Sequence, residues 1–344
     1  MRIGIVGAGQ LAQMTAQAAK ALDIETVCLA LSPDECAGRE SELCIVPMLS
    51  AEYANGFISD VDIITIETEN IPLEFAEYLA AQKPLRPPVK ALAIAQDRLL
   101  EKQLFEEIGL SPAPFYAIDS EDDIPAAIKK IGLPGILKTR RLGYDGKGQV
   151  RCYTEDDLIA GVKALSPAAL IYEGLVSFER EVSLIGVRST TGEAAFYPLC
   201  ENTHKEGILR TTKAPYLNDA LTIAAQKHMK ALFDVLDYVG VLTIEFFVTS
   251  NGLVGNEMAP RVHNSGHWTI EGAETSQFEN HLRAITGMPL GSCEARGYSV
   301  MHNYIGELPE PSAMKNDPNV FYHLYGKEVK PLRKVGHVTV VSDI

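Results

Sequence analysis

Glu245-Phe-Phe-Val-Thr-Ser-Asn251-Gly-Leu-Val-Gly-Asn256-Glu257-Met-Ala-Pro-Arg261-Val-His263-Asn-Ser-Gly-His267 is the stretch whose reading decides the fold. Its first half completes an alternating run from Val241 to Val248, the period of a half-buried strand. Asn251-Gly252 tolerates the positive φ of a tight turn, and Leu253 to Met258 returns as a second strand. With residues 250 to 252 as the loop, 249 faces 253 and Glu245 faces Glu257. Residues directly opposite share a face, with Cβ atoms roughly 5 Å apart. Two carboxylates placed there repel unless a cation lies between them. An all-oxygen pair without cysteine suits Mg²⁺ held against phosphates. Taken alone, the hairpin equally allows two unrelated surface acids.

The rest of the chain narrows the choice. Its 344 residues, 46% hydrophobic, are enough for two or three domains with ample core. With 31 basic against 45 acidic residues the net charge is −14, without charge blocks. That argues against nucleic acid or an anionic membrane as partner, but leaves room for a local phosphate pocket. Cys28, Cys36, Cys44, Cys152, Cys200 and Cys293 show no CxxC spacing, and are expected to be reduced thiols of a cytoplasmic protein. Met1 leads straight into an apolar strand, so no signal peptide is expected, and no apolar run is long enough to span a bilayer.

From the N-terminus, strands at 2–7, 25–29, 44–46 and 62–67 alternate with helical patterns, which predicts a parallel sheet with helices on both faces. The first turn, Gly7-Ala-Gly9-Gln-Leu-Ala12, permits close approach of a phosphate to a helix N-terminus. A nicotinamide dinucleotide also needs an acid at the end of the second strand, where this chain has Leu29-Ala30-Leu31-Ser32. The turn therefore reads as a ligand loop of another kind. Further on, Leu133 to Lys138 is a strand ending in lysine. It is followed by Gly143-Tyr-Asp-Gly146-Lys-Gly148-Gln149, a glycine-rich hairpin loop able to close over polyphosphate. It is not a Walker loop, because no helix opens after a Gly-Lys-Ser/Thr.

Together with Glu67-Thr-Glu-Asn70, Gln96-Asp-Arg98, Phe178-Glu-Arg-Glu181, Glu201-Asn-Thr-His204, Thr275-Ser-Gln-Phe278 and Tyr325-Gly-Lys327, these motifs resemble the ATP-grasp ligases. More narrowly they resemble the N5-carboxyaminoimidazole ribonucleotide synthetase family, over nearly the whole chain. The resemblance implies an α/β fold, α+β in part. Its expected divisions are a Rossmann-like preATP-grasp domain over 1–88, an ATP-grasp region over 89–290 with a lid at about 115–175, and a small β-rich C-terminal domain over 291–344.

It also implies roles. Arg98 and Lys138 contact ATP phosphates, covered by the loop Gly143, Tyr144, Asp145, Gly146, Lys147, Gly148 and Gln149. Glu173, Gly174, Leu175 and Val176 hold adenine and Glu181 the ribose, with His204, Asn256 and Glu257 completing the nucleotide site. Glu245 and Glu257 hold Mg²⁺, two ions being expected and Mn²⁺ the alternative metal. Gln10, Leu11, Glu67 and Asn70 line the aminoimidazole ribonucleotide pocket, while Lys327, Arg333 and Lys334 take its 5′-phosphate. Arg261, His263 and Asp145 are the catalytic candidates, acting where bicarbonate meets the γ-phosphate. A homodimer is expected, with no nucleic-acid or membrane partner.

The chain departs from the family pattern at Gln10, at Leu142 where glycine is usual, and at Val262 where proline is usual. It also ends early, at Ile344. None of these removes a functional group. The alternatives are another ATP-grasp ligase, such as a formate-using glycinamide ribonucleotide transformylase, and an ATP-binding protein without catalysis. Substituting formate for bicarbonate separates the first, and ATP binding without turnover the second.

Overall fold

The computed structural model describes residues 1–143, 148–310, 312, 314 and 317–343. Strands β1 (Arg2–Val6), β2 (Glu25–Ala30), β3 (Glu42–Ile45) and β4 (Ile63–Ile66) form a parallel sheet in the order β3-β2-β1-β4. Ile63 to Ile66 are buried throughout, because helices cover a parallel sheet on both faces.

A second, antiparallel sheet runs β5-β8-β6-β7, built from β5 (Phe115–Ile118), β6 (Gly135–Thr139), β7 (Gln149–Cys152) and β8 (Leu170–Gly174). The helix Glu155–Leu165 packs on it and starts at a capping box. Thr154 Oγ1 accepts the Asp157 N–H at 3.1 Å, and the Asp157 carboxylate accepts the Thr154 N–H at 2.9 Å. Leu137, Leu158, Leu170 and Tyr172 close the core between sheet and helix.

The third sheet contains β9 (Arg180–Arg188), β10 (Ala194–Phe196), β11 (Cys200–Lys205), β12 (Ile208–Ala214), β13 (Gly240–Thr249), β14 (Gly252–Ala259), β15 (Tyr298–Ile305), β16 (Val320–Leu324) and β17 (Lys334–Ser342). Its order is β14-β13-β9-β11-β12-β15-β17-β16, with β10 on β9. The three C-terminal strands thus extend this sheet through β12 and β15. On one face the helix Asp219–Val235 brings Ala225, Met229, Leu232 and Phe233 against Val182, Leu184, Leu242, Ile244 and Phe246. Each large side chain buried there contributes roughly 2 kcal/mol. Even-numbered residues of β9 and β13 face this core, so by strand alternation Glu181, Ser183 and Glu245 face the opposite side.

The deciding hairpin reaches its expected register by another route. Thr249 pairs with Gly252, so the loop is two residues, one shorter than the sequence suggests. The register then shifts between Phe246↔Gly255 and Glu245↔Glu257, leaving Asn256 as a bulge. The two differences cancel, and Glu245 faces Glu257. Glycine at 255 is required by packing, since a Cβ there would lie 2.8 Å from both Phe105 and Leu110 side chains.

His281 joins the first sheet to the third. Its Nδ1 accepts the Val241 N–H at 3.1 Å, so Nε2 carries the proton and meets Thr65 Oγ1 at 2.8 Å. Burial pushes its pKa from 6.5 down to about 4, so the folded chain keeps this ring neutral where the unfolded chain protonates it. Its stabilisation is therefore present above pH 6.5 and lost as pH falls toward 4, on the order of 3 kcal/mol. Half-buried His263 and buried His267 and His337 are shifted the same way. We expect His281→Asn to flatten part, but not all, of the acid limb in urea midpoints measured from pH 4 to 6.5.

Candidate active site

At the centre, Glu257, Glu245, Ser183 and Cys200 lie in one row across β14, β13, β9 and β11. Glu245 is buried and Glu257 is exposed. Burial, and then the charge of Glu257, push the Glu245 carboxyl up to about 7. Two carboxylates held face to face in this way repel each other. Their donors are all hard oxygens, which fits a divalent cation such as Mg²⁺. Glu101 lies behind β14, where its Oε1 accepts the Met258 N–H at 2.6 Å. Burial and the charge of Glu257 raise it to about 8.

His263 Nε2 stands 3.4 Å from Glu245 Oε1. Its other nitrogen ends a hydrogen-bond relay. Thr212 donates to Asn202 Oδ1 (2.9 Å), Asn202 to Ser183 Oγ (2.9 Å), Ser183 to Ser265 Oγ (2.8 Å), and Ser265 Oγ contacts His263 Nδ1 (2.8 Å). The Ser265 N–H also points to Nδ1 at 3.3 Å, so Nδ1 is the acceptor and Nε2 carries the proton toward Glu245. On the same side of the sheet, His204 Nδ1 lies 2.7 Å from Glu181 Oε2.

Arg261 is fixed by Glu69. The two form a bidentate pair, with Nη2 donating to Oε1 at 3.0 Å alongside the Nε–Oε2 contact, and Nη1 donates to the Val262 carbonyl at 3.2 Å. Burial alone would raise the Glu69 carboxyl, but the Arg261 charge holds it below the usual range. Gln96 fastens the Glu69 loop by donating to the carbonyls of Glu69 (2.6 Å) and Ile71 (2.8 Å).

On the second sheet, Lys138 Nζ lies 2.9 Å from Glu173 Oε2, and Lys102 Nζ lies 3.4 Å from the same oxygen. Burial opposes the charge of Glu173, but the two ammonium groups together keep it ionised. Arg98 donates from Nη1 to the Thr139 carbonyl (2.9 Å) and from Nη2 to the Gly143 carbonyl (2.5 Å), at the base of the glycine-rich loop. Gly148 and Gln149 close that loop, and Gly174, Leu175 and Val176 follow Glu173 at the end of β8. Tyr144, Asp145, Gly146 and Lys147 lie outside the described residues.

The first turn holds a carboxylate. Glu67 Oε1 accepts the Gly9 N–H at 2.6 Å and Oε2 the Ala12 N–H at 3.0 Å, so Glu67 caps the helix Gln10–Lys20. A Cβ at Gly7 would come within 2.4 Å of Glu67 Cγ, so the glycine answers to this side chain. Two of the N–H donors at that helix start are thus taken by the chain's own carboxylate. Gln10 Oε1 accepts from Lys327 Nζ at 2.6 Å, Leu11 is partly buried against the core, and Asn70 is exposed beside Thr68. Lys327 feels the charges of Glu67 and Arg333, and Lys334 acts on Glu245 and His263. Lys327 is thus within electrostatic range of Glu67, and Lys334 within that of Glu245 and His263.

The profile of the ribonucleotide synthetase preATP-grasp domain matches residues 1–96 and that of the ATP-grasp domain residues 103–278. The phosphoribosylaminoimidazole carboxylase C-terminal domain matches 299–344. An N5-carboxyaminoimidazole ribonucleotide synthase of Pseudomonas aeruginosa is 44% identical over 340 residues, covering 99% of this chain and 94% of its own. The chain belongs to the N5-carboxyaminoimidazole ribonucleotide synthase family.

The crystal structure of the synthetase of Thermus thermophilus superposes with a TM-score of 0.94 at 48% identity, over 99% of this chain and 94% of that one. The synthase of Aspergillus clavatus, solved with ADP and 5-aminoimidazole ribonucleotide, matches with a TM-score of 0.88 at 27% identity, over 99% and 93%. This chain is accordingly an ATP-using ligase with the ATP-grasp fold. Within this synthase, Glu69, Lys102 and the Ser183–Ser265 relay have no counterpart among the sequence-derived site residues. Glu69 stands in a motif quoted for the resemblance, which was its only signal. Among the described residues, no helix is long and apolar enough to cross a membrane. All six cysteines are free thiols.

Proposed function

We propose that this synthase carboxylates 5-aminoimidazole ribonucleotide with ATP and bicarbonate through carboxyphosphate, releasing ADP and phosphate. The observation that supports it most is the opposed Glu245–Glu257 pair beside Arg261, within electrostatic reach of Lys334. Bicarbonate is a poor electrophile until one of its oxygens can depart as phosphate. Glu245 and Glu257 would hold Mg²⁺, which would supply charge neutralisation during phosphoryl transfer. His263 orients Glu245, with its own tautomer fixed by Ser265. Arg261, locked by Glu69, presents its remaining donors to the anionic oxygens of carboxyphosphate. Lys138 and Arg98 serve the ATP phosphates, and the 143–149 loop excludes water from a short-lived intermediate. The amine of the ribonucleotide then attacks the carboxyl carbon. Because Nε2 of His263 is a donor toward Glu245, the amine's proton goes to released phosphate or to Asp145.

Phosphate release in ATP, Mg²⁺ and bicarbonate should be rapid only when aminoimidazole ribonucleotide is added. Equal release without it, or none with it, refutes the reading. Lys327→Ala should raise the KM for the ribonucleotide by about tenfold to a hundredfold, the worth of a charge-assisted hydrogen bond, and change the ATP KM by less than about twofold. A matched rise in both would remove Lys327 from the ribonucleotide site. A homodimer is the assembly we expect, to be checked by sedimentation.

A further inference from the structure

Beside the active-site loop lies a buried aromatic cluster that the mechanism above does not use. In the C-terminal part of the third sheet, Asn303, His337 and His323 stand opposite one another across β15, β17 and β16. They form one row on one face. Each meets a residue of the segment that follows His263. Asn303 and Asn264 exchange amide hydrogen bonds at 2.9 and 3.0 Å. The His337 ring lies 4.9 Å from the His267 ring, and His323 Nε2 is 2.6 Å from Glu271 Oε1. Residues 264, 267 and 271 follow i, i+3, i+7 spacing, and the segment is helical, a 3₁₀ turn at Asn264–Gly266 and an α-turn at Thr269–Gly272. One face of this segment therefore lies along one row of the sheet.

The row is tied at both ends to residues already placed near the substrates. His337 Nδ1 meets the Tyr325 hydroxyl at 2.8 Å, and Tyr325 is buried two residues before Lys327. Lys334 opens the strand that carries His337. On the loop side, Gln277 brackets His263, accepting its N–H at 2.9 Å and donating to its carbonyl at 2.7 Å. The cluster is not a metal site. The His323 and His337 rings stack face to face at 4.5 Å and 12°, so their nitrogens do not converge. Among the described residues no group of three or more His, Cys, Asp or Glu side chains is placed to hold a metal. Nor is it an ordinary apolar core, since His337 Nε2 and His267 Nδ1 are buried without hydrogen-bond partners among the described residues. A trio of phenyl rings would avoid that cost. Imidazoles here fix one register, through the Tyr325 and Glu271 hydrogen bonds, that plain hydrophobic packing would leave adjustable.

We propose that the row Asn303–His337–His323 is a positioning array that sets the loop carrying Arg261 and His263 relative to Lys327 and Lys334, so that phosphoryl transfer is aligned by the bound ribonucleotide. This rests on the function proposed above. None of the three is among the residues assigned above to substrate, so all three act as positioning residues.

The test uses the full chain with ATP, Mg²⁺, bicarbonate and aminoimidazole ribonucleotide, comparing wild type with His337→Phe and Tyr325→Phe. The first keeps a ring of similar size, and the second removes a single hydroxyl, so it serves if His337→Phe fails to fold. In either variant kcat should fall by about tenfold or more with the ATP KM within about twofold, the pattern of lost alignment rather than lost binding. The phosphate released per ribonucleotide consumed should rise above the wild-type ratio. The double variant should be no worse than the worse single, because Tyr325 acts through His337. Wild-type kcat and ratio in both singles, or additive losses in the double, overturn the array. An arm independent of turnover keeps this outcome apart from failure of the proposed function. Hydrogen exchange at the Ser265–His267 amides should quicken by about tenfold or more in the variants. Unchanged exchange overturns the array even if the reaction proves to be a different one.

Discussion

Glu257→Gln should lower kcat for ATP-dependent phosphate release by about a thousandfold, while the chain stays folded and in metal-free buffer at pH 8 is at least as stable as wild type. The two halves of this result share one cause. Glu245 is buried opposite Glu257, and both burial and that neighbouring charge raise its pKa to about 7. For an acid raised in this way, the stabilising contribution is present below its ordinary pKa of 4.5 and lost as pH rises through about 7. At pH 8 the metal-free wild type therefore carries two opposed charges, one of them buried. Glutamine removes the repulsion and keeps the shape. It also removes half of the site for the cation, so Mg²⁺ should raise the melting temperature of the wild type and leave that of the variant nearly unchanged. Thermal melts with and without Mg²⁺, beside the phosphate assay, check both. Phosphate release within tenfold of wild type, or an equal Mg²⁺ shift in the two proteins, would sink the metal assignment.

The hairpin shows what a sequence reveals and what it leaves out. Alternation and Asn251-Gly252 were enough to oppose Glu245 and Glu257, because strand period and turn residues are local signals. The two-residue loop and the bulge at Asn256 were not legible. Gly255 beside the bulge is crowded by Phe105, on the helix Arg98–Glu107 far back in the chain, and by Leu110 just after it. The same limit hid Glu69, whose partner Arg261 lies 192 residues away, and Lys102, recognisable only through the Glu173 carboxylate it shares with Lys138. Glu67 illustrates the converse. A glycine turn at a helix start is an anion site by its geometry, but sequence does not say whether the anion is a ligand or the protein's own carboxylate. Leu142 is a smaller case. The resemblance led to the expectation of glycine there, and the structure gives this exposed leucine a φ of 62°. The backbone shape is kept at a cost of roughly 1 to 2 kcal/mol, with no loss of a functional group.

Arg261→Lys should be nearly as damaging as loss of a metal carboxylate, lowering kcat by about a hundredfold or more although the charge is kept. The reason is geometric. A guanidinium has five N–H donors in a rigid plane. Here two face Glu69 as a bidentate pair and a third reaches the Val262 carbonyl, which in the proposed reaction would leave two for the reacting anion. An ammonium group is one point. If it stays with Glu69 it does not span to the substrate, and if it leaves, the Glu69 carboxylate is left half-buried without a partner. Glu69→Gln tests the same coupling from the other side. It keeps one acceptor for Arg261 but loses the charge that holds the fork, so we expect a milder fall of about tenfold, with little change in the ATP KM. Because Glu69 acts only through Arg261, adding Glu69→Gln to Arg261→Lys should cost much less than it does in the wild type. Near-wild-type kcat for Arg261→Lys would show that the charge alone suffices. An undiminished effect of Glu69→Gln in the lysine background would give Glu69 a role of its own, and the clamp would no longer explain why a half-buried acid is paired with Arg261.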